Sequence, residues 1–270
     1  MESDSVFNVR VISWIINYGH THLLREIVNH VECNNHSISL IFGSNVMENT
    51  RLLLLGCYSK SLDMVELILK YVDPKCIDMN LMSCSTSSYN DSHRWNTPLT
   101  VASETGNLCV VKALLRNHAD INKCNFWKQS PLLIESIYGQ CDVVKCLLSS
   151  GVDINLRDQD GQSPLFTASW EGQSNVVKCL LSSGAHINLC DERGQSPLFI
   201  ASMSGRCNVV KYLLSSGADI NLCSNLEKSP LFIASLKGHC DVVKSLLSSG
   251  ANINLCDEDG QSPLYIASEE

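Results

Sequence analysis

A proline occurs every 33 residues through nearly two thirds of the chain. The prolines in this register are Pro98, Pro131, Pro164, Pro197, Pro230 and Pro263. A period of about 20 to 50 residues is typical of repeat proteins, in which each unit stacks only on its neighbours. The chain of 270 residues is therefore expected to be a row of stacked units rather than one or two globular domains.

Each unit has the sequence of two short helices followed by a loop. In one unit, Ser163 suits a helix N-cap, Pro164 the first helical position and Gly172 the helix end. A second helix with apolar residues at helical spacing follows, and Gly184 supplies left-handed backbone at its C-terminus. One unit cannot bury its own apolar face, so adjacent units are needed to complete its core.

The units also share a fixed set of residues. In one unit they are Asp191, Gly194, Pro197, Leu198, Ala201, Gly205, Val209, Val210, Leu213, Leu214, Gly217, Ala218, Asp219 and Asn221. This pattern resembles the ankyrin repeat family over five full units, from about Ser92 to Asp257. The resemblance implies an all-α solenoid of helix-turn-helix units with β-hairpin fingers. We expect regular 33-residue ankyrin repeats over residues 92–270, the last one incomplete.

Residues 1–91 are expected to hold two divergent ankyrin-like repeats. Gly19–Val28 and Ser61–Leu69 align with the second helix of the regular unit, and first helices are predicted at Val11–Tyr18 and Leu52–Ser59. These units are spaced more widely than the regular ones, so the surplus is expected to leave the stack as loops, the longer one at residues 82–94. Divergence of this kind fits a capping role.

Charge and hydropathy narrow the classes of partner. Twenty Lys and Arg against 28 Asp and Glu give a net charge of −8, which argues against nucleic-acid binding. No apolar run approaches the ~18 residues that span a bilayer, and the acidic N-terminus does not resemble a secretory signal. We expect a monomer without membrane insertion that acts in the cytoplasm, with the nucleus as a second compartment.

Nine of the 14 cysteines recur at fixed repeat positions, as Cys190, Cys223 and Cys256 illustrate. Equivalent positions in stacked repeats lie about 8–10 Å apart, beyond the ~7 Å between Cα atoms that a disulfide needs. No C-x-x-C sequence and no histidine pair with metal-ligand spacing occurs. We expect reduced thiols, with no metal and no cofactor.

The sequence carries no motif for nucleotide, metalloprotease or serine hydrolase chemistry, so an enzyme is not expected. Repeat stacks bind proteins along an extended concave surface, which predicts a scaffold or adaptor. The alternative is a regulatory module of a larger signalling or ubiquitin-ligase protein. That alternative depends on Gln261–Ser268, which begin a first helix that no second helix follows, so this end is expected to fray or to be a truncation.

The positions that differ between units identify candidate partner-binding residues. In proteins that this chain resembles, partners contact the hairpin tips and the exposed end of each first helix. The candidates at these positions are Arg94, Trp95, Phe126, Trp127, Tyr138, Trp170, Glu171 and Arg193. Trp, Tyr and Arg are enriched in interface hot spots, so the third to fifth repeats are predicted to carry the contact patch. Alternatively, Trp95 and Trp127 pack under the loop of residues 82–94.

Two residues depart from the repeat pattern. Glu135 stands where other units have an alanine such as Ala168, and we expect it to turn to solvent because a lone acid usually finds water. A polar contact or a raised pKa are the alternatives. His118 takes the place of Gly151, which implies local strain in a left-handed backbone rather than a site.

Overall fold

The computed structural model describes residues 11–16, 18–33, 42, 45–82 and 95–269. The chain divides into two compact units, Met1–Trp127 and Lys128–Glu270. Throughout the described residues the regular structure is helical, and no β-strand occurs among them. The all-α repeat fold is confirmed, whereas the β-hairpin fingers are not. The predicted boundary at residue 91 lies outside the described residues and stays a prediction.

The first unit consists of paired helices. Residues 11–16 are helical, and the further α-helices are α1 (Thr21–Cys33), α2 (Val46–Tyr58), α3 (Leu62–Tyr71), α4 (Pro98–Thr105) and α5 (Leu108–Arg116). Helix α2 begins before the predicted Leu52 because the Asn45 side chain accepts the Glu48 N–H and caps the helix there. Tyr18, predicted to be helical, lies in a turn. Residues 83–94 of the predicted long loop lie outside the described residues.

Helices of equivalent position pack on one another in the first unit. Helix α4 contacts α2, and α5 contacts α3, which in turn contacts α1. Hydrogen bonds connect the loops: the Asn107 side chain donates to the Lys60 carbonyl at 2.7 Å, and the Asn80 side chain accepts the Asp120 N–H at 2.8 Å. The divergent repeat that contains α2 and α3 is therefore stacked in the same way as a regular one.

The second unit repeats one helix pair. Its helices are α6 (Pro131–Tyr138), α7 (Cys141–Ser149), α8 (Pro164–Glu171), α9 (Ser174–Ser182), α10 (Pro197–Met203), α11 (Cys207–Ser215), α12 (Pro230–Leu236), α13 (Cys240–Ser248) and α14 (Pro263–Glu269). First helices contact first helices, and second helices contact second helices. The core lies between the two layers, where Phe166, Phe199 and Phe232 are fully buried.

The predicted start and stop signals act as expected. The Ser163 hydroxyl accepts the Phe166 N–H at 3.2 Å, and Pro164 follows in the first turn of α8. Gly172 ends this helix with φ +80°. An N-cap hydroxyl satisfies an N–H that the helix leaves without a partner, and only glycine adopts the left-handed backbone without steric cost. These signals set the length of each first helix and therefore the position of its last residues.

Two series of hydrogen bonds tie successive repeats of the second unit together. In one series an asparagine side chain accepts a backbone N–H of the next loop at 2.9–3.0 Å. The acceptor and donor pairs are Asn155 with His186, Asn188 with Asp219, and Asn221 with Asn252. In the other series, a side chain donates to a carbonyl at the end of the first helix of the preceding repeat. Gln173 Nε2, for example, donates to the Ile137 carbonyl at 3.0 Å. These bonds fix the loops and the first-helix ends of neighbouring repeats against each other.

Candidate partner-binding surface

The tips of the loops in the second unit are built by aspartate side chains. Asp158 Oδ1 accepts the N–H groups of Asp160 and Gln162 at 3.0 and 2.9 Å. Asp191 does the same for the tip that follows, where Arg193 stands in the position of Asp160. Burial raises the pKa of the Asp158 carboxyl. These hydrogen bonds define the conformation of each turn and therefore the position of its variable residue.

Neighbouring tips are also bonded to each other. The Glu192 N–H donates to the Asp160 carbonyl at 3.2 Å, and the Asn225 N–H donates to the Arg193 carbonyl at 2.9 Å. At Gly194 a Cβ atom would come within 2.8 Å of the Asn225 backbone nitrogen, which shows how close the backbones approach. Residues at the tips of successive repeats therefore form one continuous surface.

A groove of about 380 Å³ lies between two of these tips and the first helices. Its lining residues are Asp160, Gln162, Trp170, Asp191, Glu192, Arg193, Gln195, Ile200 and Met203. They come from two loop tips, from the end of α8 and from α10. The groove thus joins the two kinds of position, tip and helix end, at which partner contacts are predicted.

Trp170 forms the aromatic part of this groove. It lies in the last turn of α8 and is 41% exposed. Its ring makes an edge-to-face contact with buried Phe166, with 6.3 Å between ring centroids and an interplanar angle of 85°. The Trp170 carbonyl accepts a hydrogen bond from Arg206 Nε at 2.9 Å. The indole is therefore oriented by the core while much of its surface stays open to solvent.

Carboxylates dominate the charge of the groove. Asp160 and Glu192 are exposed, and Asp191 is nearly buried while it caps its own turn. Arg193 is the cation of the lining, so three carboxylates and one guanidinium give −3 + 1 = −2. In the part of the chain that the structure describes, none of these four side chains forms an ion pair. The charges of the exposed side chains, Asp160, Glu192 and Arg193, are available to a partner.

A second aromatic group lies in the first unit. The Phe126 N–H donates to the Trp95 carbonyl at 3.1 Å, and the rings of Phe126 and Trp127 are in edge contact with centroids 5.8 Å apart. Phe126 is 60% exposed, Trp95 is also exposed, and Trp127 is half-buried. The Asn125 side chain accepts the Trp127 N–H at 3.0 Å and orients this turn.

A family model described as ankyrin repeats, in three copies, matches residues 53–158, 132–224 and 216–270. These residues make up more than half of the chain. The chain belongs to the ankyrin repeat family. Ankyrin repeats are generally protein–protein interaction modules and are typically non-enzymatic. No curated protein matches the chain. The matched residues include the divergent ankyrin repeat of α2 and α3 from residue 53 onwards, whereas Gly19–Val28 lie before them.

The structure places the predicted residues of the ankyrin surface in two groups, one in each unit. Trp170 and Arg193 line the same groove, and Glu171 follows Trp170 as the last residue of α8. Tyr138 is the equivalent last residue of α6 and is exposed. Trp95, Phe126 and Trp127 form the group in the first unit, and Arg94 lies outside the described residues. The alternative, packing of Trp95 and Trp127 under the loop of residues 82–94, also falls on residues outside them.

Sequence reasoning did not select the acidic half of the groove. Asp160 and Glu192 occupy loop tips, but the criterion for hot spots favours Trp, Tyr and Arg over carboxylates. The repeat register does place both at loop tips: Asp160 and Arg193 occupy the same position of successive units, and Glu192 precedes Arg193 directly. Residues from neighbouring tips meet because the ankyrin repeats stack.

The expectation that Glu135 turns to solvent is wrong. This residue of α6 is 0% exposed, because the helix is buried from Pro131 to Ser136. Neither carboxyl oxygen has a hydrogen-bond partner in the described residues. Burial raises the pKa of Glu135 to about 8, against the smaller opposing effect of the nearby Gln140 backbone N–H, so the group is mostly neutral at pH 7. It does not belong to the surface described above.

The described residues hold no cluster of three or more His, Cys, Asp and Glu that could bind a metal ion. Their cysteines are free thiols, and burial raises the pKa values of Cys124, Cys190 and Cys223. Since the thiolate is the nucleophile, a raised pKa lowers the reactivity of these thiols. Within the described part of the chain, every helix is too short or too polar to cross a membrane.

Proposed function

We propose that this ankyrin repeat protein acts as a protein–protein interaction scaffold or adaptor. The partner is bound through the groove of the second unit and through the exposed aromatic residues at loop tips and first-helix ends. On this proposal the binding residues are those predicted from the sequence, Arg94, Trp95, Phe126, Trp127, Tyr138, Trp170, Glu171 and Arg193. Arg193 contributes to selectivity because it brings the one positive charge of the groove lining.

The exposure of Trp170 beside the groove is the observation that carries the proposal. A large aromatic side chain gains free energy when its surface is removed from water, so an indole held 41% exposed favours coverage by a partner. The contact with Phe166 fixes the ring before binding, which reduces the conformational entropy that binding must overcome. Hot spots of protein interfaces have this combination of a rigid aromatic residue and an adjoining cavity.

Loss of the Trp170 indole tests the proposal. Tagged wild-type protein and the Trp170→Ala variant are used for proximity labelling and for pull-down, with Trp14→Ala as the matched control, since Trp14 is a comparably exposed tryptophan at 51%. We expect a partner that wild type and Trp14→Ala recover alike and that Trp170→Ala recovers at least about ten-fold less. Equal recovery by all three proteins, with unchanged circular dichroism, would contradict the proposal.

The proposal includes a monomer in the cytoplasm, with the nucleus as a second compartment. The free thiols of the described residues fit a reducing compartment, in which structural disulfides are rare. Light scattering of the purified protein measures whether the mass in solution is that of one chain or of several. Fractionation of cells that express the tagged chain locates it, and recovery in a membrane or secreted fraction would contradict the assignment.

A further inference from the structure

We infer, on the basis of the proposed function, that the groove of the second unit recognises a partner segment with a cationic side chain. An arginine or lysine of the partner would bind beside Trp170, with its charge at the carboxylates of Asp160 and Glu192. The proposed function requires only a protein partner. Here the segment that enters the groove is also assigned a positive charge.

The carboxylates are placed for this role by the stacking of two repeats. The hydrogen bond from the Glu192 N–H to the Asp160 carbonyl brings the two tips together, and both acidic side chains are exposed. Neither forms an ion pair within the described residues. A guanidinium or ammonium group would gain charge-assisted hydrogen bonds there, which are stronger than those between neutral groups.

The remaining lining suits the long stem of a cationic side chain. Trp170 offers an aromatic surface, and cations are attracted to the face of an indole ring. Half-buried Met203 supplies apolar surface in the same groove, which buried Ile200 also lines. Lysine and arginine pack their methylene groups on such surface while the charged end reaches polar groups. A volume of about 380 Å³ admits side chains of an extended segment rather than a folded element.

A groove of equal volume elsewhere in the second unit shows that stacking alone does not produce this chemistry. That groove, also about 380 Å³, is lined by Lys211, Leu214, Ala218, Ile220 and four serines, without a carboxylate or an aromatic ring. Stacked repeats therefore leave clefts of similar size whose linings differ. Of these two grooves, only the one beside Trp170 combines an exposed ring with carboxylates.

Arg193 and the two carboxylates should affect the binding of a cationic segment in opposite directions. Its guanidinium is exposed in the lining and forms no ion pair among the described residues. It opposes a cationic ligand and would attract an anionic one. Neutralising Arg193 should therefore strengthen the binding of a cationic segment, whereas neutralising Asp160 and Glu192 should weaken it.

Short peptides that alternate serine with arginine provide the probe. The matched controls replace each arginine by citrulline, which keeps the shape and removes the charge, or by glutamate. Binding is followed by the indole N–H signal of Trp170 in nuclear magnetic resonance spectra, assigned with a Trp170→Phe variant because the chain has four tryptophans. We expect a saturable shift of this signal with the arginine peptide and about ten-fold weaker binding of the citrulline and glutamate peptides.

Charge variants of the protein complete the test. The double variant Asp160→Asn, Glu192→Gln should weaken the arginine peptide about ten-fold, and Arg193→Gln should strengthen it about two-fold. Binding that is absent, that is equal for arginine and citrulline, or that is tightest for glutamate would overturn the inference. Insensitivity to the double variant would also overturn it.

The two proposals fail in distinguishable ways. If a natural partner depends on Trp170 but is indifferent to Asp160→Asn, Glu192→Gln, protein binding stands and the cationic segment is wrong. If the arginine peptide binds as expected and no natural partner depends on Trp170, cation recognition stands and the proposed interaction function is wrong.

Discussion

The first helices α6 and α8 have the same construction but differ at three buried positions, one of which holds a glutamate in α6 and an alanine in α8. Both begin with a proline that follows a capping serine, and both end at a glycine with a left-handed backbone. Glu135 in α6 and Ala168 in α8 occupy the same repeat position, and both are 0% exposed. The alanine fills its position without a polar atom, whereas the carboxyl is held without a hydrogen-bond partner in the described residues.

The difference shows that burial at this position is set by the repeat and not by the side chain. A lone acid on a surface helix would turn to water, but here the caps and the neighbouring buried residues determine which face of the helix points inward. The carboxyl responds by remaining protonated, since burial raises its pKa to about 8. The free energy that this requires is supplied by the packing of the helices around it.

The largest effect on stability is expected when a glutamate is introduced into α8 at the position that corresponds to Glu135. Ala168→Glu places a carboxyl and additional volume in a fully buried position, and overpacking and desolvation both oppose it. We expect a loss of about 4 kcal/mol in the free energy of unfolding at pH 8, measured by urea titration with circular dichroism. Ala168→Gln, which adds the volume without the charge, should lose less, and its loss relative to the parent should not depend on pH. A loss below about 1 kcal/mol for Ala168→Glu would mean that the position tolerates charge.

A pH-dependent effect is expected from Glu135 itself. Its pKa is raised from 4.5 to about 8 in the folded protein, so between these values the unfolded chain ionises while the folded chain stays protonated. The free energy of unfolding contributed by this group therefore falls as pH rises from 4.5 to about 8 and is constant above. Between pH 5 and pH 8 the parent should lose about 3 kcal/mol relative to Glu135→Gln.

The matched comparison for this pH effect is the shape-conserving variant Glu135→Met, which removes the carboxyl and nearly keeps the volume. It should be more stable than the parent, by a margin that grows from pH 5 to pH 8 in the same titrations. Parallel stability curves for the parent, Glu135→Gln and Glu135→Met across this range would show that Glu135 keeps its ordinary pKa.

The smallest effect concerns the hydrogen bond that ties the end of α6 to the next repeat. Gln173→Met removes the donor to the Ile137 carbonyl and keeps the length of the side chain. We expect a loss of about 1 kcal/mol, with faster hydrogen exchange in α6. Arg206→Met removes the corresponding bond to the Trp170 carbonyl at the end of α8. If Gln173→Met causes no loss in the free energy of unfolding while Arg206→Met is destabilising, the end of α6 is held by the packing of its buried residues alone.

Much of the fold could be predicted from sequence because its signals are local and repeat. Ser163, Pro164 and Gly172 act on the backbone beside them, so one regular unit predicts the other regular units. His118 was predicted to be left-handed and has φ +64°. Glu227 has φ +57° in a tip position that is glycine in other units, such as Gly194, and the same register could have predicted it.

The site was predictable only in part because its contacts are between units. Trp170 and Arg193 follow from repeat position and residue type. Asp160 and Glu192 become one acidic surface only when two tips are bonded, and that depends on the distance between stacked loops. The environment of Glu135 likewise depends on the packing of the whole helix, which its own residue type does not reveal.

The asparagine hydrogen bonds between loops bear on how such a chain changes in evolution. In each of these pairs the acceptor is an asparagine side chain and the donor is a backbone N–H, and the donor residues are as different as His186, Asp219 and Asn252. A backbone donor is present whatever residue other than proline the next unit carries there. Any unit with the asparagine can therefore precede any other, so unequal recombination could add or delete the gene segment for one whole repeat and leave this bond intact at the new junction.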